Sequence, residues 1–264
     1  MPCCVGFWRM GIHLLPLAVA IVMPVSFIAT YVIAVLLNHV EAGFPYISDT
    51  GTYPPESCIF GQMMNFGALL IILTVHIRYK QIVEYYADAA VMNTSILRIN
   101  KVSEYCGYLA GFGLSVVGNF QETNVIVVHI IGAIMAFGLG MVYAYLQSVV
   151  SYKMHPHVSH IAICHLRMVL SVLITVFFIM TIGSGVASSV ISGQAMRSRW
   201  EPSDPGFTEH VLSTASEWLM SICMMIFFIT FVGEFQKIHV KGPSVHILGE
   251  DFNPLENSIS PRIT

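Results

Sequence analysis

TNVIVVHIIGAIMAFGLGMVYAYLQSVVSY, residues 123–152, runs for thirty residues without an aspartate, glutamate, lysine or arginine. The hydrocarbon core of a bilayer is about 30 Å thick and takes roughly 20 apolar residues as a helix, so this stretch reads as a membrane span. Four further windows, 10–40, 57–77, 105–121 and 168–196, are equally free of those four residue types. Spans are expected at about 13–37, 59–77, 102–118, 125–147, 167–190 and 211–232, of which the third is shortest, with Glu104 just inside its start. In lipid each backbone polar group needs a partner within its own segment, which helices supply. The expected fold is therefore all-α: a polytopic membrane protein with a six-helix transmembrane bundle over residues 1–240 and a flexible cytoplasmic tail at 241–264.

Composition agrees with this reading. The 264 residues are 55% hydrophobic and only 10% charged, with a mean hydropathy of +0.72, whereas soluble domains carry about 25% charged residues. A net charge of −3 leaves no basic surface for a phosphate backbone, so nucleic acid is not an expected partner. Six cysteines with no CxxC pair exclude a zinc ribbon or a disulfide framework.

Arg9 precedes an apolar run too long for the core of a signal peptide, so the first helix is expected to stay as an anchor. Lys and Arg then set the orientation, because cytoplasmic loops retain them. With six spans, the N-terminus, the loops at 78–101 and 148–166 and the tail share one side. That side holds ten of the twelve Lys and Arg residues, and the other holds only Arg197 and Arg199. Both termini are expected to be cytoplasmic.

Small residues let membrane helices approach closely. Gly132, Ala136, Gly140 and Ala144 recur every four residues along the fourth span, and Gly107 and Gly111 form a GxxxG in the third, followed by Gly113 and Gly118. The two spans are expected to pack against each other along this seam.

Ionisable residues inside spans are costly and mark polar contacts of structural or functional weight. Glu217 and His129 lie toward the non-cytoplasmic ends of their spans, near the Asn119, Gln121 and Glu122 connection. With Asp49 and Glu56 from the loop after the first span, they form a candidate polar cluster. One reading is a hydrolase or metal site. The other, which the absence of HExxH, GxSxG or similar spacing favours, is that Glu217 and His129 satisfy each other or backbone groups. No catalytic residue, no metal and no cofactor are assigned.

Asn65 and His76 in the second span are read as structural. The run His155, His157, His160, Cys164, His165 reads as a solvated loop, since Pro156 interrupts it and no matched second pair exists. Cys3 and Cys4 beside the first span are candidates for S-palmitoylation, with free thiols the alternative. Tyr79-Lys80-Gln81-Ile82 has the form of a tyrosine sorting signal but abuts the second span. The loop at 39–58 is rich in Pro, Gly, Ser and Thr and predicts ordered turns, with Asp49 in an Asx turn toward Gly51. It is expected to form a shaped lumenal cap.

Together PYISDTGT at 45–52, PPES at 54–57, RYK at 78–80, GNFQE at 118–122, QSVVSYK at 147–153, CHLRMVLS at 164–171 and EW at 217–218 are specific. With these motifs the chain resembles the damage-regulated autophagy modulator (DRAM) family of six-span membrane proteins. The resemblance implies a multipass protein of the lysosomal membrane, with late endosome or plasma membrane as alternatives, that promotes autophagy and in some members links stress to cell death. It implies no catalytic residue. Membrane lipids and unidentified cytoplasmic proteins are the expected partners. More distant relatives act in lipid remodelling of glycolipid anchors, which keeps a lipid-handling enzyme or transporter as the alternative.

The orientation is testable at the sole N-x-S/T sequon, Asn93-Thr94-Ser95. Placed in the cytoplasm, Asn93 carries no glycan, and the chain expressed in mammalian cells migrates unchanged after endoglycosidase treatment. A shift on digestion would reverse the topology.

Overall fold

The apolar windows fold as long helices because a helix satisfies its own backbone without water. The computed structural model of the chain describes residues 11–88, 94–193 and 199–240. Six long helices run through it: α1 Leu14–Leu36, α2 Glu56–Asp88, α3 Thr94–Asn119, α4 Ile126–Lys153, α5 Ile161–Ser192 and α6 Phe207–Ile229. A short α7, Val232–Phe235, continues α6 after a turn, and a 3-10 turn spans Asp49–Gly51. Among the described residues there is no strand. Cys3, Cys4, Asn93 and the 241–264 tail lie outside the described residues.

A helix covers each of the six expected spans. Five of them, all but α3, are long and apolar enough to cross a membrane. In α3 the first half carries Arg98, Lys101 and Glu104 and the second half is diluted by glycine, serine and tyrosine. Glu104 is buried, and it accepts from Lys101 Nζ at 2.9 Å and Tyr108 Oη at 2.7 Å.

Each helix packs against its neighbours in the chain, and α6 returns to α1, so the six close into a ring. The outward faces stay apolar, as Ile21, Val25 and Ile28 of α1 and Val169, Val172 and Ile179 of α5 show by their exposure. In water such patches would be a liability; here they face hydrocarbon. The inward faces of all six helices form one core that includes Met23, Met64, Tyr143, Ile174, Met220 and Phe227.

The end that carries the 37–55 loop is the cap end, and the other is the far end. At about 1.5 Å per residue, the 33 residues of α2 and 32 of α5 rise roughly 50 Å, well past the hydrocarbon. The excess at the far end has its own small core of Ile82, Tyr86, Ile96, Val150 and Met154. Ile82 is fully buried there, so Tyr79–Ile82 is a helical turn whose apolar residue is not available to an adaptor.

The glycine pattern corrects one expectation. A Cβ on Gly111 would meet Ile72 and one on Gly118 would meet Met64, so these glycines admit α2, while one on Gly107 would meet both Val75 of α2 and, at 3.1 Å, the Tyr143 ring of α4. The α3–α4 approach rests on Gly113, where a Cβ would stand 2.6 Å from both Ala136 N and Gly132 O. Successive residues turn by 100°, so Gly113 lies on a different face from the GxxxG pair. Gly140 is looser, with the end of Met224 nearest at 3.2 Å and the Ala110 Cβ of α3 at 3.9 Å.

At the cap end α5 stops at Gly193 in the left-handed conformation (φ 67°) and α6 starts after Gly206 (φ 83°). A side chain at Gly206 would also meet Ser188 O at 2.8 Å, which makes glycine the residue that fits.

Gly113→Ala should therefore lower the melting temperature of the detergent-solubilised protein, by the roughly 1–3 kcal/mol typical of overpacking, because backbone atoms cannot yield. Gly140→Ala should melt like wild type, since a methionine end can move. Equal melting of the two variants would contradict this assignment of the seam.

Candidate functional site

Two polar clusters lie inside the bundle, one at each end. At the cap end, the segment Pro45–Thr52 is drawn down onto α6 and α1. Glu217 of α6, buried, accepts from the backbone N–H of Ile47 at 2.8 Å. Beside it Trp218 Nε1 donates to Pro45 O at 3.0 Å, and its ring packs edge-on against Phe27 and Tyr31 of α1. Tyr46 Oη donates to Ser213 Oγ at 2.7 Å, which donates onward to Thr181 O at 2.6 Å. Thr30 and Thr50 hydroxyls pair at 3.1 Å. The loop is thus fixed to α1, α5 and α6.

This anchoring brings three carboxyl groups together: Asp49 from the loop, Glu122 from the α3–α4 connection and Glu217 from α6. Ser48 Oγ donates to Glu122 Oε2 at 3.0 Å, and Tyr46 N donates to Asp49 Oδ2 at 3.2 Å. The Asx turn toward Gly51 does not form, because the Asp49 side chain reaches back to Tyr46 while Gly51 N bonds Ser48 O at 3.0 Å. Burial pushes the Asp49 carboxyl well above the usual carboxylate range, and the adjacent Glu122 and Glu217 charges add to it. Burial likewise pushes the Tyr46 hydroxyl up, keeping it a donor.

His129 joins this cluster through Glu122. Its Nδ1 lies 2.7 Å from Phe120 O and its Nε2 lies 3.7 Å from Glu122 Oε2. A carbonyl only accepts, so Nδ1 carries a proton and Nε2 faces the carboxyl. His129 and Glu217 therefore find separate partners instead of each other.

The other expected members stand apart. Glu56 pairs with His39, and its second oxygen, Oε2, is buried without a partner among the described residues. Asn119 bonds Asn65 and the Ser115 carbonyl, closing α2 against α3, and Gln121 accepts a long bond from Asn124. His76 stacks on Tyr108 and bonds it at 2.7 Å. In the 154–165 segment His155 bonds Ser159 O, His160 caps the N-terminus of α5 and His165 bonds Tyr152. Among the described residues no group of three or more His, Cys, Asp or Glu side chains has metal-binding geometry.

The far-end cluster escaped the sequence reading, which counted Arg78 and Arg167 only as orienting charges. Both are fully buried, and both pair with Glu234 of α7, Arg167 at 2.8 Å. Arg78 also donates to Gln147 Oε1 at 3.0 Å and Gln81 Oε1 at 2.7 Å; Arg167 donates to Ser151 Oγ at 2.6 Å and to Thr230 through both its hydroxyl and its carbonyl. Each guanidinium also lies over the Phe231 ring, at 5.1 and 4.4 Å, a favourable cation–π placement. The signal for this site was an acid just past the apolar stretch of α6, with two arginines at the ends of other spans.

Compared with known proteins, residues 11–238 match the family described as the Frag1/DRAM/Sfk1/Cwh43P N-terminal domain. The chain is 37% identical over 238 residues to DNA damage-regulated autophagy modulator protein 2 of Homo sapiens, covering 89% of this chain and 88% of that one. It is 39% identical over 231 residues to DNA damage-regulated autophagy modulator protein 1 of Homo sapiens, covering 88% and 94%. The modulator of macroautophagy TMEM150B-B of Xenopus laevis is 33% identical over 205 residues, covering 78% and 76%. No solved structure matches the chain.

The raised Asp49 carboxyl has a pH consequence. A carboxyl that holds its proton more tightly in the folded state stabilises that state fully below the ordinary aspartate value of about 3.9, and this is lost as pH rises through the raised value. The purified protein should thus melt at a higher temperature at pH 5 than at pH 7.5, and Asp49→Asn should shrink the difference. A wild-type profile without this slope, or a slope of undiminished size after the substitution, would contradict the placement of Asp49.

Proposed function

The chain belongs to the Frag1/DRAM/Sfk1/Cwh43P family, and we propose that it is an autophagy-modulating membrane protein, acting without catalysis as a lysosomal regulator in the response to stress. The observation that carries this reading is identity of more than a third over nearly the whole chain to two proteins named as autophagy modulators. The family match, residues 11–238, spans every long helix as well as the cap.

The topology proposed is six crossings with both termini in the cytoplasm. Six helices joined in a ring of alternating direction support the sixth crossing, with α3 packed between α2 and α4 and presenting Leu109 and Phe112 outward. Charge supports the sides: Arg78, Lys80, Arg98, Lys101, Lys153, Arg167 and Lys237 gather at the far end, which the positive-inside tendency assigns to the cytoplasm. The cap then faces the lumen, where an acidic pH favours the protonated form of Asp49, whose carboxyl burial already pushes up, and so eases the repulsion among the three carboxyls. The route from stress to cell death implied by the family would pass through cytoplasmic partners of the far end.

A second reading, a lipid-handling enzyme or transporter, is favoured by the convergence of Asp49, Glu122, Glu217 and His129 at the cap. In the regulator reading these groups hold the cap in place.

The regulator reading is tested in cells lacking the chain. Lysosomal turnover of autophagosomes during starvation should fall and should return with the wild-type chain, which should be found in the lysosomal membrane. Turnover that does not change on removal would overturn it.

A further inference from the structure

Just before the cap segment enters the bundle, Ala42, Gly43 and Phe44 are all exposed. The Phe44 side chain is 57% exposed, and its backbone is left-handed, with φ 55°. That conformation suits glycine and asparagine and is unfavourable for a bulky residue. The adjacent Gly43 does not adopt it, so the strain falls on the aromatic residue. Backbone strain of this kind persists where something else holds the residue in place, and it points to a function.

The contacts on either side fix how deep this segment lies. Tyr31 Oη of α1 donates to Ala42 O at 2.8 Å, and Trp218 Nε1 of α6 donates to Pro45 O at 3.0 Å. At about 1.5 Å per residue, Tyr31 stands about 8 Å below the cap-end terminus of α1 and Trp218 roughly 16 Å below that of α6. The chain that leaves α1 therefore turns back and descends along the α1–α6 seam. Tyr31 and Trp218 are half-buried on the flanks of that seam, whereas Phe27, Thr30 and Glu217 occupy the buried faces. The exposed segment held by Tyr31 and Trp218 thus looks outward, toward lipid.

Tyrosine and tryptophan are the residues of the membrane interface, where their polar tips meet headgroups and water. Here both tips are taken by loop carbonyls, so the loop stands where headgroups would. Backbone near lipid needs its polar groups satisfied: Phe44 N donates to Ala42 O at 3.3 Å, and Pro45 has no N–H to satisfy. The exposed Glu41 just before the segment keeps it in the interfacial layer, since a charge at the hydrocarbon centre is costly.

We propose that Phe44 is a lipid anchor, its ring inserted among the glycerol-ester and upper acyl groups of the leaflet on the cap side, where it docks the cap to the membrane beside α1 and α6. The leaflet supplies the apolar contact that the fold withholds from the ring. Tyr46 and Ile47, which bond Asp49 and Glu217, follow within three residues, so the anchor also links the acidic cluster to the leaflet. The inference rests on the bundle crossing a membrane and is independent of any part in autophagy.

The test uses the full chain in phosphatidylcholine nanodiscs. In Phe44→Trp the added emission, taken as the difference from wild type, should be quenched by acyl-brominated phosphatidylcholine and shielded from iodide. Ser203→Trp, in the exposed turn before α6, should show the reverse. Phe44→Asn separates lipid contact from backbone strain, because asparagine fits the left-handed conformation better. With the anchor lost, the Tyr46 and Ile47 amides should exchange hydrogen about 10-fold faster than in wild type, as for loss of a partly buried phenyl ring. Phe44→Leu, equally strained but apolar, should exchange close to wild type. Added emission in Phe44→Trp that iodide quenches and the brominated lipid does not, or exchange in Phe44→Asn no faster than in wild type, would overturn the proposal.

Discussion

Glu234 sits between two guanidinium groups in the far end of the bundle, and four helical segments depend on that contact. Arg78 brings α2, Arg167 brings α5, Gln147 and Ser151 bring α4, and Glu234 itself lies on α7 at the end of the α6 path. Burying three charges is expensive, and an ion pair in low dielectric offsets this only when the remaining donors are also satisfied. Here they are spread over Gln81, Gln147, Ser151 and Thr230, with Ser159 donating to the carboxylate at 2.8 Å. The two arginines outnumber the single acid, and the Phe231 face beneath both supplies part of the balance. Removing one partner of such a group costs roughly 3–5 kcal/mol, a large share of the stability of an ordinary domain. In lipid, where hydrophobic burial no longer drives helices together, a contact of this kind specifies which helices meet.

The same helical path carries a second buried acid. Glu217 and Glu234 are separated by about 25 Å of helical rise, close to the thickness of the hydrocarbon layer. One secures the cap loop through the Ile47 amide, and the other ties the far ends of α2 and α5. Between them the path is apolar, and α6 lies against both α1 and α5. It therefore works as the post that holds both polar ends of the ring in register. The cap end differs in kind: its carboxyls meet one another rather than arginines, so its stability depends on protons, whereas the far end depends on fixed charge.

Between the two polar ends the bundle is dense in one half and open in the other. Gly113 against Gly132 and Ala136 brings backbones together near the cap. One to two turns further along α4, Gly140 and Ala144 face a central cavity. Small residues thus serve close packing in one half and create room in the other, and only the neighbours' positions decide which.

Much of the fold was legible in the sequence. Charge-free windows located the helices, since only a helix hides its backbone in hydrocarbon. The Lys and Arg distribution divided the two ends. The motifs around the cap and the far end identified the family, and Asp49, Glu122 and Glu217 were grouped in one candidate polar cluster. The pairing of faces was not legible. In a soluble helix the apolar stripe points inward, but a membrane helix is apolar toward both lipid and core, so hydropathy carries no contrast from which to choose. That is why the GxxxG of α3 was assigned to α4 yet lies largely against α2, why Glu56 and Asn119 stand outside the acidic cluster, and why Arg78 and Arg167 were counted only as orienting charges. Which acid meets which base, and whether a glycine receives a backbone or lines a cavity, depends on helix rotation, and only the tertiary structure decided it.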